Sequence, residues 1–371
     1  MRIAINARSI LLSQPTGIGR YTYHLIDSLG AVDPVNQYWL YVQKKFWDTK
    51  RKLPKFSYSN FSVKNDFFGR GAQQCLKDSD IYHSPSPELL SVVGSKIVVT
   101  IHDLIYKTYP QGHTSETIDL TNQYMSQIVK RADHIICISQ NTRDDLHRFF
   151  DFPEGRSSVI YNGVNHQKFY CLEGMERQEA KSLLVQLGVF EPFLLFVGTI
   201  EPRKNLSGLL EAFSYLRQKK QFNGKLVVVG MKGWMTESIA PLIERLGIKE
   251  EVVFLGFVSD DQLRVLYNFS EVFVFPSFYE GFGFPIVEAF CCGAAVVTAN
   301  TSSCGEIAAD AAFCVNPEDI IQMAEGITQL LENKKFNQDL RQKGLLRAKE
   351  FSFLKNAQQT GCVYEEVRLE S

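Results

Sequence analysis

The sequence predicts an α/β protein with two Rossmann-like domains, and three observations support this fold class. Short apolar segments alternate with longer helical segments along the 371-residue chain. The apolar segments are nearly continuous, as strands of a parallel sheet are when helices cover both faces. They also form two series, separated by a polar stretch between residues 165 and 190. A chain of this length is sufficient for two domains with separate cores.

The predicted strands lie on either side of that polar stretch. The first series is Ile3–Asn6, Tyr38–Val42, Ile81–His83, Ile97–Ile101, His134–Ile138 and Ser158–Tyr161. The second series is Phe193–Gly198, Lys225–Gly230, Val252–Leu255, Val272–Pro276, Ala295–Thr298 and Ala312–Val315. The charged segment Glu173–Glu179 and a helical pattern ending at Gly188 predict a linker and a lead-in helix. We therefore predict domains over residues 1–172 and 173–349, facing each other across a cleft.

Composition and charge bear on several function classes. With 45% hydrophobic and 22% charged residues, the chain is typical of soluble globular proteins, and its net charge of −1 does not suggest a nucleic-acid partner. No apolar run approaches the roughly 20 residues that span a bilayer, and Met1–Asn6 is typical of a strand rather than of a signal peptide. The eight cysteines lack a Cys-x-x-Cys pair, which predicts reduced thiols in the cytoplasm and no zinc site.

The strongest functional signal is the segment that follows the predicted strand Val272–Pro276. Glu280 lies in a glycine-containing loop, and Glu288, eight positions later, is predicted in the first turn of a helix starting at Pro285. Such a loop, at the carboxyl end of a parallel strand, is where α/β folds bind ligands. Two carboxylates facing one crevice bind the hydroxyls of a ligand or act as an acid/base pair.

A second signal follows the strand Phe193–Gly198. Arg203 and Lys204 precede a helix whose predicted N-cap is Asn205. Two adjacent cations and the free amides of a helix N-terminus suit a diphosphate. The alternative is a solvated Arg-Lys pair in a loop.

The first half of the chain offers weaker signals. Gly17 and Gly19 begin like a dinucleotide-binding fingerprint, but Thr22 stands where a third glycine is expected, so a plain turn is an alternative. His102 follows the strand Ile97–Ile101, where a neutral imidazole would bind a sugar hydroxyl or steady a developing charge. The alternative is a strand-end histidine capped by Asp103.

Two charged segments have competing interpretations. Asp78-Ser79-Asp80 matches a metal-binding pattern of sugar transferases, but without acidic neighbours it is interpreted as a helix-to-strand connection. Residues 43–56 contain six basic residues, one acidic residue and three aromatic residues. That segment either rests on an anionic membrane surface or forms a solvated loop.

Taken together, these residues resemble the retaining glycosyltransferases of family 4, which have the GT-B fold. The resemblance runs nearly end to end and is most specific at the Glu-x7-Glu pair, Glu280 and Glu288. Its other motifs are Gly17–Tyr21, Ile101–Leu104, Ser139–Leu146, Val159–Val164, Val197–Asn205 and Leu226–Trp234. The tail from Phe351 to Tyr364 resembles the family's C-terminal helices, which cross back to the first domain and would add residues 350–371 to it. The resemblance implies that residues 1–172 form the acceptor-side domain and residues 173–349 the domain that binds the nucleotide-sugar donor. Within the family, the pattern is most similar to bacterial mannosyltransferases that build O-antigen and related polysaccharides.

The resemblance implies a role for each candidate. Glu280 and His102 would bind the transferred sugar, and Glu288 would bind the ribose. Arg203 and Lys204 would neutralise the donor diphosphate, whose electrostatic stabilisation would be the main catalytic effect. The other donor-binding residues would be Gly17, Gly19, Gly198, Asn205, Gly230, Phe284 and Pro285.

The function implied is a cytoplasmic, metal-independent transferase acting from a GDP- or UDP-linked sugar. The most specific hypothesis is mannose transfer from GDP-mannose to a lipid-linked glycan, by front-face attack in which a donor phosphate oxygen takes the acceptor proton. Two alternatives remain: a nucleotide-sugar epimerase or phosphorylase on the same fold, and a non-catalytic sugar-nucleotide-binding subunit.

Two positions depart from the family pattern. Ser302–Glu306 reads Ser-Ser-Cys-Gly-Glu where relatives often have Ser-Ser-Leu-Pro-Glu, so no role is carried over to Glu306. Phe353 stands where tryptophan is usual, which is interpreted as a packing change.

Overall fold

A computed structural model describes residues 1–11, 17–45, 47–48, 51–67, 69, 71–112, 114–233 and 236–369. Its contacts divide the chain into two compact units. One comprises Met1–Gly163 and the segment from Ser352 onward, and the other comprises Val164–Phe351. The sequence placed these divisions at 172 and 349. Residues just after 163 pack within the second unit, where the Leu172 amide donates to Asn268 Oδ1 over 2.7 Å.

The described residues of the first unit form a seven-stranded parallel sheet. Its strands are β1 (Arg2–Asn6), β2 (Gln37–Val42), β3 (Phe61–Asn65), β4 (Ile81–Ser84), β5 (Lys96–Ile101), β6 (His134–Cys137) and β7 (Ser157–Val159). Their order across the sheet is β3-β2-β1-β4-β5-β6-β7. Successive strands are added on one side of β1 up to β3 and on its other side from β4 onward, and the carboxyl ends of β1 and β4 therefore border the crevice where such sheets bind ligands.

Helices cover both faces of this sheet. They are α1 (Gly17–Val32), α2 (Ala72–Leu76), α3 (Ile105–Thr108), α4 (Ser115–Arg131) and α5 (Gln140–Phe149), with 3-10 turns at Arg8–Leu11, Pro110–Gly112 and Glu154–Arg156. Separate apolar clusters lie on the two faces, as expected for strands buried from both sides.

The described residues of the second unit form a six-stranded parallel sheet. Its strands are β8 (Phe193–Val197), β9 (Lys225–Val229), β10 (Val252–Gly256), β11 (Val272–Phe275), β12 (Val296–Ala299) and β13 (Phe313–Val315). The order β10-β9-β8-β11-β12-β13 places the reversal between β8 and β11. Its helices are α6 (Gly174–Gln186), α7 (Leu206–Gln218), α8 (Ile239–Leu246), α9 (Asp260–Phe269), α10 (Phe284–Cys291), α11 (Ser302–Ala308), α12 (Ile320–Glu332) and α13 (Lys334–Ala348), with 3-10 turns at Pro202–Lys204 and Lys249–Glu251.

The predicted fold class is confirmed, since two parallel α/β sheets are present and all twelve predicted strands lie within about two residues of their predicted bounds. One strand, β3, was missed. Among the described residues it is an edge strand that pairs with β2 alone, and Val63 on it is 52% exposed. Because an edge strand is not buried on both faces, β3 lacks the continuous apolar run that identified the others.

The C-terminal helix α14 (Phe353–Leu369) belongs to the first unit and packs against α1, which confirms the predicted return of the chain. Asn356 Nδ2 donates to the Tyr161 carbonyl over 2.8 Å. A Cβ added to Gly163 would lie 2.2 Å from the Phe353 amide nitrogen, so only glycine allows this crossing. The Phe353 ring stacks on His24 at 4.2 Å. Among the described residues, no helix combines the length and apolarity needed to span a bilayer.

A buried hydrogen-bond chain fastens α14 to the sheet. His83 Nδ1 contacts the Tyr364 hydroxyl at 2.6 Å, and His83 Nε2 contacts the Thr100 hydroxyl at 2.9 Å. Burial lowers the pKa of His83 to about 3, so the imidazole is neutral near pH 7.

Replacing Tyr364 by phenylalanine is expected to lower the free energy of unfolding by about 1–3 kcal/mol, because His83 Nδ1 would be buried without a partner. Urea titration measures the change. Tyr170→Phe is the matched control, since its hydroxyl bonds Glu176 at an exposed position and should cost less than about 0.5 kcal/mol. Equal effects of the two substitutions would contradict the prediction.

Candidate active site

The basic pair lies at the carboxyl end of β8, in the second unit. Arg203 and Lys204 form a single 3-10 turn with Pro202, and α7 begins directly afterwards. Asn205 is the N-cap, as predicted: its side-chain oxygen accepts from the Gly208 amide over 3.2 Å. Its backbone is left-handed, with φ of 55°, a conformation that asparagine tolerates better than most residues.

Glu280 lies beside this turn because β11, which precedes its loop, is the neighbour of β8. Lys204 Nζ donates to Glu280 Oε1 over 2.6 Å, and Arg203 Nη1 contacts Glu280 Oε2 at 2.7 Å. The Ser277 hydroxyl also donates to Oε1 over 2.6 Å. Glu280, predicted to bind hydroxyls, and the pair Arg203 and Lys204, predicted to bind a phosphate, therefore form one cluster.

Further contacts fix both cations. Arg203 Nη1 donates to the Tyr279 carbonyl over 2.9 Å, and Nη2 donates to Glu201 Oε1 over 2.5 Å. Glu201, Lys204 and Glu280 are each less than 10% exposed. Two cations and two carboxylates thus compensate each other in a largely buried site, where an unpaired charge would be costly.

Opposing effects set the ionisation of Glu280. Burial raises the pKa of this carboxyl, but Lys204 and Arg203, with the hydrogen bonds from Lys204 and Ser277, lower it to about 2. Glu280 is therefore a carboxylate at neutral pH and serves as an acceptor, not as an acid.

This lowered pKa predicts how stability depends on pH. The stabilisation due to ionised Glu280 is complete above its unfolded pKa of about 4.3 and is lost as the pH falls towards about 2. Unfolding free energies of the wild type and Glu280→Gln are expected to converge over that range. Curves that remain parallel from about pH 6 to pH 2.5 would contradict the assignment.

Glu288 accepts a hydrogen bond from a residue outside this cluster. The helix α10 begins at Phe284 after Gly283, whose φ is 95°, so Glu288 is the fifth helical residue and not in the first turn as predicted. Its Oε2 accepts from the Tyr267 hydroxyl over 3.1 Å. Phe284 and Pro285 are half-buried in the first turn, where proline loses no helical hydrogen bond.

Gly198 and Gly230 follow β8 and β9 at the same edge of the sheet. A Cβ added to Gly230 would lie 1.9 Å from the Gly198 carbonyl oxygen, and the Gly230 φ is 145°. The two backbones are in direct contact, so close packing alone requires glycine at 230. Trp234, in the motif beginning at Leu226, lies outside the described residues.

The sequence analysis missed the serines that hold the Glu280 loop. The Ser302 hydroxyl accepts from the Glu280 amide over 3.1 Å, and the Ser303 hydroxyl donates to the Glu280 carbonyl over 2.8 Å. The only available signal was their position just after β12, the next strand in the sheet. Gly305, at the family's proline position, fits closely, since a Cβ there would lie 2.9 Å from the Asn300 carbonyl oxygen.

The remaining candidates lie in the first unit. His102 follows β5 and bonds the Pro85 carbonyl through Nε2 over 2.8 Å, with the Tyr21 ring edge-on at 4.9 Å. Burial lowers the pKa of His102, so the neutral imidazole carries its proton on Nε2 and presents Nδ1 as an acceptor. Gly17 and Gly19 begin α1, and a Cβ added to Gly17 would meet no atom of the described residues within 4 Å.

In the described part of the chain, no three His, Cys, Asp or Glu side chains are grouped to hold a metal ion. The Asp80 carboxylate accepts from the Arg2 amide over 2.6 Å, at the amino end of β1 and away from the crevice. Phe46, Thr49 and Lys50 of the 43–56 segment lie outside the described residues.

Two family descriptions match this chain. "Glycosyl transferases group 1" matches residues 186–347, which include the buried cluster, and "Glycosyltransferase Family 4" matches residues 15–168, which include His102. The chain belongs to glycosyltransferase family 4. The predicted enzyme class, a retaining hexosyltransferase of this family, is confirmed.

One curated relative and two solved structures extend this family assignment. The O-antigen chain mannosyltransferase B of Escherichia coli is 29% identical over 377 residues, covering 94% of this enzyme and 96% of the relative. A sucrose-phosphate synthase from Thermosynechococcus elongatus has a TM-score of 0.77 at 20% identity, with both chains covered completely. An Anabaena protein solved with UDP-glucose has a TM-score of 0.72 at 19% identity, covering 99% of each chain. The predicted GT-B fold is thereby confirmed.

Proposed function

We propose that this glycosyltransferase moves mannose from GDP-mannose to a lipid-linked glycan with retention of anomeric configuration. The observation that carries the donor half of the proposal is the buried cluster of Arg203, Lys204 and Glu280. It lies where the strand order reverses, at the carboxyl ends of β8 and β11, the usual ligand position in such sheets.

The cluster suits a nucleotide diphosphate as leaving group. Arg203 and Lys204 are held by Glu280, so little reorganisation is needed when negative charge develops on the diphosphate. Glu280 Oε1 already accepts two hydrogen bonds, whereas Oε2 contacts Arg203. Since a carboxylate has about four acceptor positions, Oε2 retains capacity for a sugar hydroxyl.

The reaction then needs no protein nucleophile. The acceptor hydroxyl attacks the anomeric carbon on the face of the departing diphosphate, its proton passes to a donor phosphate oxygen, and the bond from the anomeric carbon to that phosphate breaks. His102 is proposed to accept a hydrogen bond from the transferred sugar at Nδ1, and Glu288 to bind the ribose. Gly17, Gly19, Gly198, Asn205, Gly230, Phe284 and Pro285 are proposed to shape the donor site.

The sugar and acceptor are proposed from the relatives. Mannose and a growing polysaccharide are supported by the Escherichia coli mannosyltransferase, which matches almost end to end. We also propose that the enzyme needs no metal ion and that it works at the cytoplasmic side of a membrane.

Thermal-shift titration tests the donor directly, because a ligand that binds the folded state raises the melting temperature. GDP-mannose is expected to give a larger shift than UDP- or ADP-sugars, and the shift should persist in EDTA. Release of GDP should require a glycan acceptor, whereas an epimerase or a phosphorylase would turn over the sugar nucleotide without one. A chain that none of these nucleotide sugars stabilises would contradict the proposal.

A further inference from the structure

Four polar side chains lie buried between the sheet of the first unit and the helices α1 and α14. They come from four different elements, and each is at most 1% exposed: Tyr21 in α1, His83 in β4, Thr100 in β5 and Tyr364 in α14. A polar group in the interior is costly unless it is hydrogen-bonded. A buried network whose members bond one another holds its side chains in a single arrangement.

These four side chains form one chain of hydrogen bonds. Besides the contacts of His83 with Tyr364 and Thr100, the Thr100 hydroxyl lies 3.3 Å from the Tyr21 hydroxyl. Burial raises the pKa of Tyr21 to about 12, so its hydroxyl keeps its proton at neutral pH and cannot act as a base. The tip of the Tyr21 side chain is therefore bonded to β5 and, through His83, is linked to α14.

The ring of Tyr21 reaches His102. Side chains two positions apart on a strand point to the same face, and Val98 of β5 packs in the same apolar cluster as Tyr21. Thr100 and His102 follow Val98 at this spacing, so they face α1 as well. The centroids of the Tyr21 and His102 rings are 4.9 Å apart, and the ring planes meet at 83°.

Two contacts determine the orientation of the His102 imidazole. The bond between Nε2 and the Pro85 carbonyl, 2.8 Å long, fixes one point of the ring. A single hydrogen bond still allows the ring to rock about the line that joins its two atoms. The Tyr21 ring restricts this motion, because perpendicular aromatic rings at such a separation attract each other. With both contacts in place, the position of Nδ1 is set.

We propose that Tyr21 is a positioning residue of this transferase, which holds the His102 imidazole in the orientation in which Nδ1 accepts a hydrogen bond from the transferred sugar. Tyr21 acts through His102, and the bond between its hydroxyl and Thr100 keeps its ring in place. This inference rests on the proposed function, because it takes up the contact between His102 and the sugar.

Nitrogen-15 NMR of the full-length enzyme, labelled at histidine, observes the imidazole directly, and the signals lost in His102→Ala assign it. In the wild type, His102 is expected in one neutral tautomer with its proton on Nε2. Tyr21→Leu should allow the ring to move and shift its two nitrogen resonances towards each other as the tautomers mix. Tyr21→Phe keeps the ring and should leave the resonances near their wild-type positions, although it loses stability with the buried hydroxyl.

Tyr38→Leu is the matched control. Tyr38 is a buried tyrosine of the same apolar cluster, and its hydroxyl donates to Asp33 over 2.7 Å. It lies on β2, which β1 and β4 separate from β5. The substitution should lower the melting temperature and leave the His102 nitrogens unchanged. If it shifts them as much as Tyr21→Leu does, the shift reflects general loosening of the core and the inference is wrong.

Calorimetric titration with GDP-mannose and with GDP measures the contact to the sugar. His102→Ala is expected to lower the ratio of the two affinities about two- to tenfold, the loss expected for one hydrogen bond. Tyr21→Leu should lower this ratio by a similar factor. Adding Tyr21→Leu to His102→Ala should lower it no further, because residues that act as one unit have non-additive effects.

The outcomes separate the inference from the proposed function. A wild-type enzyme that does not bind GDP-mannose would overturn the proposed function, and the NMR signals would still show whether Tyr21 orients the imidazole. Unchanged His102 nitrogens in Tyr21→Leu, or a further loss of the affinity ratio in the double variant, would overturn the inference. Mixed tautomers in the wild type would overturn it too, so the test holds even if Tyr21→Leu does not fold.

Discussion

Replacing Glu280 by alanine is expected to reduce the transfer rate by about 10²–10³-fold and to destabilise the second unit by about 3–5 kcal/mol. Glu280 contacts Lys204 at 2.6 Å and Arg203 at 2.7 Å in a site that excludes most water. Its removal leaves Arg203 paired with Glu201 and bonded to the Tyr279 carbonyl, and it takes away the carboxylate that Lys204 contacts. Both the fold and the position of the cations depend on that carboxylate.

Initial rates with GDP-mannose and urea titration measure the two effects. Glu280→Gln keeps the shape and most hydrogen-bonding capacity, so it should retain more stability than alanine while remaining slow. Glu179→Ala, which removes an exposed carboxylate from α6, is the control and should change the stability by less than about 0.5 kcal/mol. A Glu280→Ala enzyme with wild-type rates would show that the cluster serves the fold alone.

Replacing Gly230 by alanine is expected to destabilise the second unit by about 3–5 kcal/mol, from steric overlap together with backbone strain. The added Cβ would lie 1.9 Å from the Gly198 carbonyl oxygen, and a φ of 145° is unfavourable for any other residue. The steric overlap is relieved only if the loop after β8 moves, and this loop leads to Arg203. Donor binding is therefore expected to weaken along with stability.

Gly361→Ala is the matched control for this substitution. Gly361 lies within α14, and a Cβ there would meet no atom within 4 Å. Alanine should be neutral or stabilise the chain by about 0.5–1 kcal/mol, because it lowers the entropy of the unfolded state and favours helix. If Gly230→Ala costs no more than this control, the contact between the two loops does not constrain residue 230.

The core strands could be predicted from sequence because burial on both faces produces continuous apolar runs, as in Phe193–Val197. The edge strand β3 could not be predicted in this way, because a partly exposed strand lacks a continuous apolar run. The predicted position of Glu288 in the first turn of its helix was wrong by one residue. The helix begins one residue earlier than the Pro285 signal indicated, so Glu288 becomes its fifth residue and pairs with Tyr267.

By itself, the sequence determined the fold class, the family, and the edge of each sheet where polar residues follow strands. These depend on local patterns and on motif spacing, which are read along the chain. Only the tertiary structure decided that Glu280 pairs with Arg203 and Lys204, and that serines after β12 hold its loop. Those contacts join residues more than 20 positions apart, which meet because strand order, not chain order, brings strand ends together.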